Sequence, residues 1–429
     1  MVVNWFVLHF RPVRVPRRTL PFTHTFGLGG MSLVLVVLLS VTGLLMMFVY
    51  EPSPERAYQS VLALEREVGF GGFVRAIHHW SANLLVVVVL LHLLRVFFTG
   101  GFRSPSRQFN WVIGLCLLFF VLASNFTGYL LPWDQLSYWA VTVSTAMAAY
   151  VPLIGGWLEA FMRGGPEVGR ATLIIFYALH TTLAPVALFV LMGFHFFRVR
   201  KARGVVVPRA EGEAPDPSPE RVLAAPHLLL REAAVALILV AAILVTAALV
   251  PAPLGEAANP GMSPNPAKAP WYFMGLQELL LHFHPVVAVV LIPVAAAVAA
   301  ACLPYLDPDG PDGGVWFISG VGRRAAVWAA LLAAIVTPAW ILLDEFVVDW
   351  GAWLPMLPPL VSEGLIPAAV GTGLLLGVFR GSRRFLGASR SEALQSVFVV
   401  SLVAFFILTA TGVWFRGPGM ALILPGTSG

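Results

Sequence analysis

Charged side chains are scarce in this chain. Its 429 residues include 27 Lys and Arg and 22 Asp and Glu, 11% in all, against 58% hydrophobic residues. A soluble domain carries about 25% charged residues, so a globule of this size could not be covered, and a soluble enzyme is excluded. Cysteine is nearly absent. Cys116 and Cys302 cannot make a disulfide framework or a Cys-rich metal site, and neither stands in the C-x-x-C-H context of a covalent c-type haem. The first 25 residues carry Arg11, Arg14, Arg17 and Arg18 without a small-residue cleavage site, so they read as no cleavable signal. Disorder is excluded by what is abundant: 30 Phe, 13 Trp and repeated apolar runs that require burial.

Those runs define an all-α, polytopic membrane protein. Nine spans are expected, at roughly 26–49, 73–98, 110–131, 173–197, 232–252, 285–304, 325–343, 361–379 and 393–414, each near the ~20 apolar residues that cross a bilayer. Basic residues orient them. With the N-terminus on side one, side two holds Arg56, Arg66, Arg75, Arg163, Arg170, Lys268 and Arg416, and side one holds all the rest of the 27. Side one is therefore cytoplasmic and the C-terminus outside, as expected of a bacterial cytoplasmic membrane protein. The net charge of +5 reflects this asymmetry against anionic lipid and gives no argument for nucleic acid. The stretch 198–231, with PRAEGEAPDPSPE, reads as a cytoplasmic linker between a four-helix front and a five-helix rear. The outer loops at 132–172 and 253–284 are long and rich in Trp, Tyr, Pro and Gly, the composition of loops that carry function.

Histidine is placed with regularity. His78 and His92 lie 14 residues apart on span two; His180 and His195 lie 15 apart on span four. At 100° per residue the members of each pair return to one helix face within about 40° and 60°, and at 1.5 Å per residue they are about 21 Å apart along the axis. Two helices then offer two levels with two imidazoles each. A lone intramembrane His usually bonds a neighbouring backbone carbonyl. Four matched ones, on spans without a carboxylate, are different, because a polar side chain in lipid is expensive and usually functional. Zinc would need further ligands at each level, whereas haem iron needs two axial ligands. The first four spans therefore read as a haem-binding bundle. His79 points about 100° away from His78 and is read as a non-ligand. Gly29 and Gly43 on span one, and Gly114 and Gly128 on span three, repeat the 14-residue interval and leave room for something bulky against the backbone; ordinary small-residue packing is the plainer alternative. Arg75 and Arg95, each three residues from a candidate ligand, suit haem propionates or interfacial anchoring.

The segments FVRAIHHWSANLLVVVVLLHLLRVFFTGGFR, TGYLLPWDQLSYWAV and FYALHTTLAPVALFVLMGFHFFRVRK together resemble the cytochrome b subunit of cytochrome bc complexes. The 15-residue histidine spacing resembles the b6 branch. SPNPAKAPWYFMG is similar to the start of the outer loop of the subunit IV that accompanies cytochrome b6. The resemblance implies a dihaem b6-like domain over 1–210, a linker at 211–231, a subunit IV-like part over 232–345, and two further helices in 346–429 that it does not reach.

It implies, further, that His78 and His180 ligate a low-potential haem b near the outer face and that His92 and His195 ligate a high-potential haem b near the cytoplasmic face, with Arg75 and Arg95 near propionates. Pro132, Trp133 and Tyr138, with Pro270, Trp271 and Tyr272, would wall an outer quinol-oxidation site. The implied protein is a subunit of a quinol–cytochrome c, or similar acceptor, oxidoreductase. It would move electrons through two non-covalent haems towards a cytoplasmic-side quinone site, coupled to proton translocation, in a dimeric complex with a Rieske iron–sulfur protein and c-type cytochrome. There are two departures. The family's loop reads Pro-Glu-Trp-Tyr and its Glu is a proposed proton acceptor; Pro270 stands there in this chain, which leaves Glu278 as the first substitute candidate and Asp134 as the second. Pro270 also motivates an alternative, a cytochrome b of a complex without a Rieske protein that exchanges electrons with multihaem cytochromes. The b6 branch carries a Cys near the start of span one for an additional covalent haem; Gly27 stands there, so no such haem is expected.

Overall fold

The computed structural model describes residues 12–306 and 313–423; Arg11, one of the tail arginines, lies outside them. Among the described residues nine helices are long and apolar enough to cross a membrane: Leu28–Met46, Gly71–Phe98, Pro105–Leu130, Arg170–Lys201, Ala224–Leu249, Val286–Tyr305, Gly320–Phe346, Leu360–Leu386 and Arg390–Trp414. The chain is thus a multi-pass, all-α membrane protein. Its strand content among those residues is one short pairing of Arg14–Pro16 with Arg221–Leu223 and two isolated bridges. Several spans overrun the stretches expected from apolarity. Span three starts at Pro105, where a Pro in the first turn forfeits no hydrogen bond, and span nine starts behind a capping box of Ser389 and Glu392. Caps end helices, whereas hydrocarbon thickness bounds only their apolar middle.

Three spans widen locally into a π-turn: Leu179–Leu183, Val286–Leu291 and Leu360–Leu365. Each is followed, two residues on, by a proline: Pro185, Pro293 and Pro367. Proline has no N–H and its ring collides with the carbonyl four residues back. A wider turn just before it accommodates both defects.

The helices fall into two compact units. The first comprises the described part of Met1–Asp134, with Gly169–Ala257 and Pro304–Ile318, and so holds spans one to five. Span one packs on span two and span three on span four, while span five lies along spans one and two. Span five, grouped with the rear half by sequence order, belongs to this unit by packing: Gly27, at φ +67°, sits against Val235, and the Trp80 indole donates to the Val250 carbonyl at 2.8 Å. The 198–231 stretch is tied down within the unit as well. Glu220 pairs with Arg17, Glu213 with Arg18, and Arg209 donates to the Gly313 carbonyl. The second unit comprises Gln135–Val168, Ala258–Leu303 and the described part of Ser319–Gly429. Span nine is its centre, packed on span seven, span eight and the short helix Trp271–His282.

Candidate functional site: paired histidines and a buried charge cluster

Spans two and four bring the four histidines together in pairs. The ring centres of His78 and His180 are 6.1 Å apart with planes crossed at 67°; those of His92 and His195 are 6.4 Å apart at 74°. Two ligand bonds of about 2 Å, and about 1.1 Å from each ligating nitrogen to its ring centre, separate coaxial imidazoles on one iron by about 6 Å. Both pairs stand at that distance, too far for a hydrogen bond between rings and right for one metal ion between them. No group of three or more His, Cys, Asp or Glu able to hold a metal occurs among the described residues. A metal with only two protein ligands and its own equatorial ring therefore fits the donor set, and b-type haem is such a group.

The hydrogen bonds at the first level fix the tautomers. His180 Nδ1 lies 2.9 Å from the Ser124 carbonyl, which can only accept, so Nδ1 carries the hydrogen and Nε2 keeps its lone pair. His78 Nδ1 lies 2.9 Å from Thr42 Oγ1, whose own hydrogen is directed at the Leu38 carbonyl at 2.8 Å. The hydroxyl oxygen therefore accepts from Nδ1, and Nε2 is again free to ligate. A second partner that orients an imidazole in this way is typical of metal-binding histidine.

Each ring leans on a glycine. A Cβ at Gly43 would meet His78 Cε1 at 3.2 Å, one at Gly29 would meet His92 Cε1 at 3.4 Å, and one at Gly114 would meet His195 Cε1 at 3.7 Å. At Gly128 it would stand 2.8 Å from His180 Nδ1 and closer still to Cε1. The bulky neighbour anticipated at the four glycines is, in each case, the imidazole edge. Spacing is reconciled too. The π-turn at Leu179–Leu183 contains His180 and takes up one extra residue. The 15-residue interval on span four therefore behaves as the 14-residue interval on span two. Pro185 was the signal in the sequence that could have revealed this.

Arg75 and Arg95 are engaged by the protein itself. Arg75 pairs with Glu65 and donates to the Ala252 and Pro253 carbonyls; Arg95 donates to the His24 carbonyl at 2.9 Å and lies 2.9 Å from His24 Nε2. His79 neighbours Asn83 and Trp80.

The two loop motifs are placed as follows. In the first unit Trp133 is buried and Asp134 Oδ2 accepts from the Gly255 amide at 3.0 Å; Pro132 is half-buried. In the second unit Tyr138 is buried, with its hydroxyl donating to the Val168 carbonyl at 3.5 Å, and Pro270 is buried as the N-cap of the helix Trp271–His282, where Trp271 is 36% exposed and Tyr272 half-buried. Glu278, on this helix, is 0% exposed. Arg416, just past span nine, donates to its Oε1 at 2.7 Å from the NH2 group and at 3.0 Å from Nε. Arg416 also pairs with Glu345 at 2.8 Å, and His282 bridges Asp344 (Nδ1 to Oδ2, 2.7 Å) and Glu278 (Nε2 to Oε1, 3.4 Å). Burial alone would raise the Glu278 pKa, but hydrogen bonds from His282 and Arg416 outweigh it and hold the carboxyl below its ordinary 4.5. Burial alone would lower His282; the hydrogen bonds to Asp344 and Glu278 prevail and raise it above its ordinary 6.5. Sequence reasoning singled out Glu278 and missed His282, Asp344 and Arg416. The interval of four between Glu278 and His282 was the one available signal.

Two crossed imidazole pairs, at two levels between two transmembrane helices, define a membrane-embedded haem protein. The family model for cytochrome b/b6/petB matches residues 18–203. Over 176 residues the chain is 43% identical to the cytochrome b6 of Prochlorococcus marinus (strain MIT 9515), covering 41% of this chain and 80% of that protein. It is 42% identical to the cytochrome b6 of Synechococcus sp. (strain CC9605) over the same length. The chain belongs to the cytochrome b/b6 family, whose members carry b-type haem. A solved chain described as a hyperthermophilic respiratory Complex III shares its fold at a TM-score of 0.67 and 21% identity, over 96% of this chain and 95% of that one. The shared fold thus extends through spans eight and nine, which the sequence motifs did not reach.

Proposed function

We propose that this chain is the dihaem cytochrome b subunit of a bc-type membrane quinol oxidoreductase. The observation that carries the reading is the pair of crossed imidazole couples at 6.1 and 6.4 Å. On this reading His78 and His180 hold a low-potential haem b near the outer face, and His92 and His195 hold a high-potential haem b near the cytoplasmic face. When bound, the haems supply the one-electron chemistry that links quinol oxidation on one face to quinone reduction on the other. The protein's share is ligation, spacing and a low dielectric. Thr42 and Ser124 orient the first-level ligands, and the four glycines let the rings seat deeply. Pro132, Trp133, Tyr138, Pro270, Trp271 and Tyr272 are assigned to quinol by motif, and Glu278 or Asp134 to its protons. A dihaem front domain, a linker, a subunit IV-like part and two further helices remain our division of the chain. Partners are a Rieske protein and a c-type cytochrome, in a dimer.

Pro270, in place of the family's Glu, supports a second reading: a complex without a Rieske protein, exchanging electrons with multihaem cytochromes. Isolation of the native complex separates the two. Quinol should reduce the b haems, and a co-purified Rieske subunit supports bifurcation. Its absence, with multihaem cytochromes in its place, supports the alternative; no b-haem reduction by quinol contradicts both.

A further inference from the structure

The second unit holds a group of titratable side chains that haem ligation does not use. Glu278, His282 and Asp344 form one hydrogen-bonded line with a sealed end and a wet end. Glu278 is 0% exposed, whereas His282 and Asp344 line an open cavity of about 520 Å³ shared with His284, Glu345, Asp349 and Glu363. Arg416 closes the sealed end and reaches from Glu278 to Glu345 at the cavity, and Lys268 acts on Glu278 from a distance. A structural lock would need only Arg416 between Glu278 and Glu345. The third carboxylate, Asp344, leaves the cluster short of positive charge unless His282 holds a proton. Trp271, Met274, Glu278 and His282 also share one face of their helix, at intervals of three and four, so the line begins on the face that carries the assigned quinol-site Trp271.

We propose that Glu278, His282 and Asp344 are a proton-exit relay that passes protons released by quinol oxidation into this cavity, with Arg416 as its positioning residue. The proposal rests on the quinol-oxidation reading above. At rest Glu278 and Asp344 are carboxylates and His282 is an imidazolium between them. A proton that quinol loses binds to Glu278 and removes the charge holding one side of the imidazolium. His282 then gives its Nδ1 proton to Asp344 Oδ2, and Asp344 releases it to cavity water. The imidazole turns about its Cβ–Cγ bond, offers its bare Nδ1 to Glu278 and takes the carboxyl proton; the imidazolium then turns back, which restores the starting state. One proton enters, one leaves, and no electron moves within the relay.

The test uses the whole purified complex in liposomes with quinol, reading oxidation rate against pH beside the b-haem spectrum. Asp344→Asn should slow quinol oxidation by roughly 10²-fold and move the alkaline limb of the profile to lower pH, because His282 loses one of two carboxylates that favour its charged form. Asp344→Glu should restore both. His282→Gln should abolish that limb; should this buried variant fail to assemble, Asp344→Asn, at the cavity edge, decides alone. A full rate and an unmoved limb in Asp344→Asn, with both haems present, overturns the relay while leaving quinol oxidation intact. If the unmutated complex oxidises no quinol, the preceding reading fails and the relay with it.

Discussion

Gly128→Ala is the sharpest perturbation of the first histidine level. An added Cβ would stand 2.8 Å from His180 Nδ1 and nearer to Cε1, whereas non-bonded heavy atoms settle at about 3.5–4 Å. The ring must retreat by about 1 Å. It is not free to do so without loss, because Nδ1 is held by the Ser124 carbonyl at 2.9 Å, a bond worth about 1 kcal/mol. Metal–ligand distances tolerate only about 0.2 Å, so the retreat breaks the axial bond. Alanine gains about 1 kcal/mol of helix propensity over glycine, too little to offset the lost ligation. Gly114→Ala is the control, since its Cβ would meet His195 at an ordinary 3.7 Å; Gly29→Ala and Gly43→Ala, at 3.4 and 3.2 Å, are graded intermediates. The assay is the reduced b-band per chain with redox titration. Gly128→Ala should lose one of two haems, Gly114→Ala none, and the intermediates should keep both with altered midpoints. Gly128→Ala with two haems and unchanged midpoints would refute the steric argument.

Thr42→Val removes the acceptor for His78 Nδ1, and should weaken haem retention at that level by roughly 10- to 100-fold, measured by haem transfer to an apo-globin; Val at the neighbouring Ser40, which bonds only the Val36 carbonyl, should do nothing comparable. Arg416→Gln leaves Glu278 buried without its main partner and should destabilise the second unit by about 3–5 kcal/mol, seen as earlier thermal aggregation, with partial recovery in Arg416→Lys. The same cluster predicts a pH window. His282's contribution to stability is complete below its ordinary 6.5 and is lost as pH rises through its raised value; that of Glu278 is complete above its ordinary 4.5 and is lost as pH falls through its lowered value. Melting temperature should therefore be highest between about 4.5 and 6.5, and His282→Gln should flatten the alkaline side of the curve.

The parts legible in the sequence were those encoded by period. Apolar runs gave the spans, and intervals of 14 and 15 gave the histidine levels and the glycines beneath them, because helix geometry converts spacing directly into position. Three kinds of feature escaped. The π-turn around His180 depends on how Pro185 is accommodated, a local response that a uniform 100° step ignores. Arg75 and Arg95 have protein partners, Glu65, His24 and backbone carbonyls, whose distance in sequence hides them from any spacing rule. Arg416 meets Glu278 from 138 residues away. Charge pairing across such separations leaves no periodic trace, and span five's place beside spans one and two is likewise a matter of packing rather than order.

Ligation of one haem by each crossed imidazole pair is tested by counting non-covalent haem b per purified chain, unmutated and with His92→Ala. About two and then one are expected, the survivor keeping its low-spin spectrum. One haem before mutation, or two after it, would contradict it.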